Sequence, residues 1–227
     1  NTFVAREADD IALDAGTQIV RVTFAGGSQD FRSFTLTAPS NPQNPFGGTA
    51  PTFTNGLLTV DASNFDTGGQ GIAYSDNAGR DGGTTFRAGE AVEFVNGQND
   101  IGYVRPGEWV EYTINTPTSG IYDLSFLAKT PLGNASIAVS LNGTTVLGTA
   151  QLQDGGTSFD AASFQASAPI GVDLAEGVQT LRLTFNGTPQ AGSPYLLDLR
   201  SFTLDLRETP LPQTPFGGTA AAFTNGM

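Results

Sequence analysis

Apolar and polar residues alternate with a period of two over much of the chain. Val110, Tyr112 and Ile114 share one face, with Trp109, Glu111 and Thr113 on the other. Tyr122, Leu124 and Phe126 alternate with Asp123 and Ser125, and Ile137, Val139 and Leu141 with Ala138 and Ser140. Leu181, Leu183 and Phe185 alternate with Arg182 and Thr184. Such runs predict strands with one buried face. Turn chemistry separates them: Ser119-Gly120, Asn142-Gly143, Asp154-Gly155-Gly156 and Asn186-Gly187. Asn-Gly accepts the positive φ of tight hairpins. Short strands between such turns predict an all-β chain, a β-sandwich or jelly roll.

The pattern also repeats. Pro45-Phe46-Gly47-Gly48-Thr49-Ala50, followed by Phe53-Thr54-Asn55-Gly56, recurs as Pro215-Phe216-Gly217-Gly218-Thr219-Ala220, followed by Phe223-Thr224-Asn225-Gly226. Upstream, Val20-Arg21-Val22-Thr23-Phe24 parallels Leu181-Arg182-Leu183-Thr184-Phe185. Arg32-Ser33-Phe34-Thr35-Leu36 parallels Arg200-Ser201-Phe202-Thr203-Leu204. Ordered matches of this kind mark a tandem array. Residues 1–36 then read as the last strands of a preceding repeat. Residues 37–56 are a Pro-rich linker, 57–206 a complete repeat, and 207–227 a linker leading to the next one. Residues 1–36 cannot close a sandwich alone, so a neighbouring repeat or copy of the chain is expected beside their open edges. A solvated tether needs no Phe at fixed spacing. Phe46, Phe53, Phe216 and Phe223 are therefore expected to pack on a module.

Composition narrows the chemistry. The chain has 227 residues, no His and no Cys, and a net charge of −12. Without His, triad nucleophiles and the usual zinc sites are absent. The negative charge argues against nucleic acid and anionic lipid as partners. No apolar run reaches the roughly 18 to 20 residues of a membrane helix, so no membrane insertion is expected. Oxygen ligation remains, which suits calcium. Glu93, Glu108 and Glu111 have the residue type needed for two-carboxylate hydrolysis. On neighbouring strands such acids are more often solvated or ion-paired, so no enzyme is expected.

One stretch carries a family resemblance. Gly102-Tyr103-Val104-Arg105-Pro106-Gly107-Glu108-Trp109-Val110-Glu111-Tyr112-Thr113 resembles the central motif of the family-6 carbohydrate-binding modules. Ile72-Ala73-Tyr74-Ser75-Asp76-Asn77, Phe86-Arg87, Val92-Glu93-Phe94 and Ser119-Gly120-Ile121-Tyr122-Asp123-Leu124 resemble its flanks, and Leu197-Asp198 with Phe202 its closing strand. The resemblance implies a calcium-stabilised β-sandwich that binds sugars and catalyses nothing. It places calcium at Asp61 and Asp198, with Ser63 where the family has a second acid. It places the sugar cleft at Asn99, where the family has an aromatic, at Phe159, an aromatic kept, and at Leu196, where the family has Asn. Tyr195, Phe86 and Arg87 are further candidates on another face.

A Leu cannot replace an amide's donor and acceptor. Together with the repeats, this makes a non-catalytic structural unit of an extracellular bacterial adhesin, matrix protein or filament the first reading. A working polysaccharide-binding module attached to a glycoside hydrolase is the alternative.

Overall fold

The computed structural model describes residues 19–27, 30–35, 43–77, 86–95, 100–131, 134–159 and 162–207. Among these, two antiparallel sheets face each other. Strands are numbered in chain order: β1 (Leu57–Asp61), β2 (Tyr74–Ser75), β3 (Glu93–Val95), β4 (Asp100–Val104), β5 (Trp109–Thr116), β6 (Gly120–Lys129), β7 (Ala135–Leu141), β8 (Thr145–Gln151), β9 (Gln165–Ala166), β10 (Ile170–Leu174), β11 (Gly177–Gly187) and β12 (Leu197–Leu206). The larger sheet runs β10-β6-β12-β4-β3, with β1 also on β12 and β9 on β6; the smaller runs β2-β5-β11-β7-β8.

The alternating faces close on one core. Val110, Tyr112, Ile114, Leu181, Leu183 and Phe185 are buried from the smaller sheet, and Tyr122, Leu124, Phe126 and Phe202 from the larger. Tyr112 meets Phe202 edge-on across the sheets, with ring centroids 4.9 Å apart, a favoured aromatic geometry. Leu141, at the strand end, is only partly buried. The turn after it holds Asn142 at φ 49° and Gly143 at φ 71°, the left-handed region that Asn and Gly tolerate best.

β12 is the hub. β6 flanks one edge, while β1 and β4 pair with successive parts of the other. Register shifts fall at Leu197/Leu199 and Leu199/Ser201, near its start, at the end of the sandwich where the loops after β4, β6 and β11 also lie.

Residues 43–56 lie on the sandwich. Asn44 and Thr67 exchange backbone hydrogen bonds of 3.0 and 2.8 Å, and Asn115 donates to the Pro51 carbonyl. Phe53 lies 5.2 Å from Tyr122 and Phe46 6.5 Å from Phe86. Phe216 and Phe223 fall outside the described residues, as does Asn99. In 19–27 and 30–35 no strand forms, and Val20, Val22, Phe24, Phe31 and Phe34 are exposed. Their repeat counterparts Phe185 and Phe202 are core residues.

Candidate functional site at the loop end of the sandwich

Tyr103 comes from the end of β4 and Tyr195 from the segment entering β12. Their rings meet edge-on at 5.1 Å. The Arg105 guanidinium lies 5.5 Å from the Tyr195 ring. Tyr103 holds a φ of 57°, uncommon for a bulky residue and frequent at binding sites. Both rings are half-buried. This cluster pairs flat apolar faces with a multiple hydrogen-bond donor. Of its members only Tyr195 stood among the expected site residues. Tyr103 and Arg105 lie inside the motif that carries the family resemblance, but nothing in sequence separates them from packing residues.

Leu196 does not face this surface. It is 2% exposed, its N–H donates to Val104 O at 2.7 Å, and its carbonyl accepts from Thr130 Oγ1 at 2.8 Å. The backbone is held at both sides, and the apolar side chain joins the core. Phe159 is half-buried, with its ring 6.0 Å from the Lys129 ammonium. Its loop is tied down by Gly155 N–H to Thr130 O and by Gln190 Nε2 to Thr157 O.

Next to this lies an ionic network on the outer face of the larger sheet. Arg200 binds Asp100 through two hydrogen bonds of 2.9 and 3.0 Å and lies 3.7 Å from the Phe164 ring. Lys129 Nζ sits 2.8 Å from Asp198 Oδ2. Asp198 lies over Gly102, where a Cβ would come within 3.1 Å of Oδ1 and 2.6 Å of Val95, so only Gly fits. Burial, first, and the neighbouring Asp100 charge push the Asp198 carboxyl up, against the pull of Lys129.

The residues expected for calcium are Asp61, Ser63 and Asp198. Asp198 already has an ammonium counter-ion. Asp61 is exposed on β1, opposite Ser201. Ser63 is buried, and its carbonyl accepts from Arg87. No group of three acids able to hold a metal forms among the described residues. A calcium ion needs six to eight oxygens; of those offered here, Asp198 Oδ2 is engaged by Lys129 and the Ser63 carbonyl by Arg87.

The three glutamates singled out by type are each occupied structurally. Glu111 pairs with Arg182 at 2.7 Å, whose guanidinium lies 3.7 Å from the Trp109 ring. Glu93 is buried on β3. Glu108 accepts from the amides of Arg105 (2.8 Å) and Asn77 (3.2 Å), clipping the turn before β5 to the strand β2 segment. Burial raises its pKa from 4.5 to about 7, helped by the Asp76 charge and opposed by the two amides.

A carboxyl with a raised folded-state pKa binds its proton more firmly in the native state. Its stabilisation is full below pH 4.5 and is lost as pH rises through about 7. The loss through this group should be about 1–2 kcal/mol, less than the full shift gives because some water contact remains. In urea melts the stability of wild type relative to Glu108→Gln should fall by that amount between pH 4.5 and 7.5. A stability difference independent of pH would refute the assignment.

The family model for carbohydrate binding module (family 6) matches residues 70–205. The chain belongs to the family-6 carbohydrate-binding modules. These are binding modules, not catalysts. The chain is 32% identical over 110 residues to a β-agarase of Microbulbifer thermotolerans, a stretch that is 46% of this chain and 9% of that enzyme. The match thus spans under a tenth of that relative. A family-6 module from Clostridium stercorarium solved in complex with cellobiose shares the fold, with a TM-score of 0.50, 18% identity, and coverage of 70% of this chain and 99% of that one. The C-terminal family-6 module of a laminarinase from Zobellia galactanivorans aligns with a TM-score of 0.47 and 16% identity over 66% of this chain and 98% of that one. No helix among the described residues is long and apolar enough to cross a membrane.

Proposed function

We propose that this module anchors a larger extracellular protein to a neutral polysaccharide, through Tyr103, Arg105 and Tyr195 with Phe159 at the border. The Tyr103–Tyr195 ring pair beside Arg105 carries this reading. Pyranose rings present apolar C–H faces that stack on aromatics, and their hydroxyls accept from a guanidinium. The net charge of −12 disfavours sulfated or uronic polymers. The agarase relative makes agarose the first polysaccharide to try. Family membership and that relative put polysaccharide binding ahead of the assembly role, reversing the order read from sequence. The departures at Asn99 and Leu196 then mark a cleft built from other residues.

Affinity electrophoresis in agarose, laminarin and soluble cellulose derivatives tests the proposal. Wild type should be retarded by at least one of them. Tyr103→Ala/Tyr195→Ala should weaken binding at least tenfold, about 1.4 kcal/mol, with unchanged circular dichroism. Undiminished retardation of the double variant would overturn the site.

A second reading, assembly with neighbouring repeats, is favoured by one observation, the docking of residues 43–56 on the sandwich.

A further inference from the structure

The segment before β1 is not a spacer but an arm with a defined seat. Gln43 Nε2 donates to Asp66 Oδ2 at 2.7 Å. Asp66 is 1% exposed and also accepts from Thr113 N–H and Oγ1 at 2.8 and 2.6 Å. Phe46 packs between Phe86 and the Arg87 guanidinium, 5.3 Å from its ring. Gly47 and Gly48 then turn the chain with φ of 73° and 80°, which side chains tolerate poorly. Thr52 lies in a parallel bridge with Asn115, and Phe53 packs on Tyr122. Asn55 and Gly56, with φ of 52° and 81°, turn the chain into β1.

The second linker keeps this signature. Gln43 corresponds to Gln213, Phe46 to Phe216, Gly47-Gly48 to Gly217-Gly218, Phe53 to Phe223, and Asn55-Gly56 to Asn225-Gly226. Between 42–56 and 212–226 the residues differ only at Asn44/Thr214, Pro51/Ala221 and Thr52/Ala222. At those three positions the arm meets the sandwich through its backbone: Asn44 N–H and O to Thr67, Pro51 O to Asn115, and the Thr52 bridge. Every side chain described above as touching the sandwich, and every left-handed turn residue, is kept. A plain spacer gives no reason for that selectivity.

We infer that residues 213–226 are a second arm with the same recognition chemistry, and that their partner is the arm groove of another copy of this module. The repeating unit is then arm plus sandwich, beginning near residue 43 rather than at 57. Only the few residues between Arg207 and Gln213 separate one seated unit from the next arm. In a chain whose own groove is filled, the covalently attached first arm wins by effective concentration. Vacating that groove exposes the site to residues 213–226 of a second molecule.

The test uses the full chain with Phe46→Ala, Phe53→Ala, Phe216→Ala and Phe223→Ala, so that neither of its own arms fills the groove. The probe is a fluorescent synthetic peptide of residues 212–227. Anisotropy should show at least tenfold tighter binding to this variant than to wild type. A Phe216→Ala/Phe223→Ala peptide should bind at least tenfold more weakly than the native peptide. Equal binding of the two peptides, or no binding to a variant that keeps its β circular dichroism, would overturn the inference. Should the quadruple variant not fold, Phe53→Ala/Phe223→Ala is assayed in the same way. Polysaccharide affinity is read separately, so loss of one activity does not decide the other.

Discussion

Replacing Arg87 with Met is expected to lower the stability of the module by about 3–5 kcal/mol, the range for breaking a buried charge network from one side. The Arg87 side chain is 6% exposed. Nη1 donates to Ser63 O (3.1 Å) and Phe65 O (2.5 Å), and Nη2 to Asp66 O (2.8 Å) and Glu90 Oε1 (3.0 Å). Nε lies 2.5 Å from Glu90 Oε2. The guanidinium plane sits 3.5 Å from the Phe65 ring centroid. Met restores the volume and part of the ring contact. It leaves three carbonyls and a carboxylate without their donor, and unmet buried acceptors cost more than the lost bonds were worth. Those carbonyls belong to the turn that ends in Asp66, so the loss also loosens the seat of Gln43. Lys in place of Arg reaches fewer of these oxygens with its single ammonium and should fall between the two. For a domain of this size each kcal/mol moves Tm by about 2–4 °C, so a drop of about 10 °C is expected for Met. A urea-derived loss under 1 kcal/mol would show that Arg87 is replaceable packing.

The core of this fold was open to reading from sequence, whereas the partners of its charges were not. Strands such as Val110-Glu111-Tyr112 and Leu181-Arg182-Leu183 reveal themselves because burial on one face imposes a period of two. The same period puts Glu111 and Arg182 on outward faces, yet only the β5–β11 register, with Arg182 opposite Glu111, makes them a pair. Arg87 was a candidate for a sugar site. What it grips are backbone carbonyls, which have no signature in side-chain sequence. Asp198 was matched to a metal position by its place in a motif, but its partner Lys129 comes from β6, opposite it across the ladder. Leu196 illustrates a further limit. A motif aligns positions, and whether a side chain turns outward depends on local backbone bonds, here to Val104 and Thr130. Tyr103 and Tyr195 meet only because the β12–β4 pairing places Leu197 opposite Val104. The arm was partly legible, since recurrence of Phe at fixed spacing announced contact, though not the groove that receives it.

Lys129→Met should also cost about 3–5 kcal/mol at pH 7, and its pH dependence distinguishes a lost ion pair from lost packing. The two side chains are 14% and 9% exposed. With the ammonium gone, Asp198 keeps its burial and the repulsion of Asp100, both of which already push its carboxyl up. Its folded-state pKa then climbs further above the unfolded value. The native state therefore prefers the protonated acid, and the penalty is small in acid and grows as pH rises through that pKa. Relative to wild type, the variant should recover most of its deficit near pH 4. A deficit constant from pH 4 to pH 8 would assign the loss to the contacts of the Lys129 ammonium with the Phe159 and Phe164 rings. Adding Asp198→Leu should restore stability at pH 7, because removing both charges leaves no uncompensated carboxylate. The same pair decides the calcium expectation. With Lys129 in place, wild type should keep its Tm in EDTA and in millimolar calcium. A calcium-dependent rise would mean that the ion displaces the ammonium and recruits oxygens that are otherwise engaged by Lys129 and its neighbours.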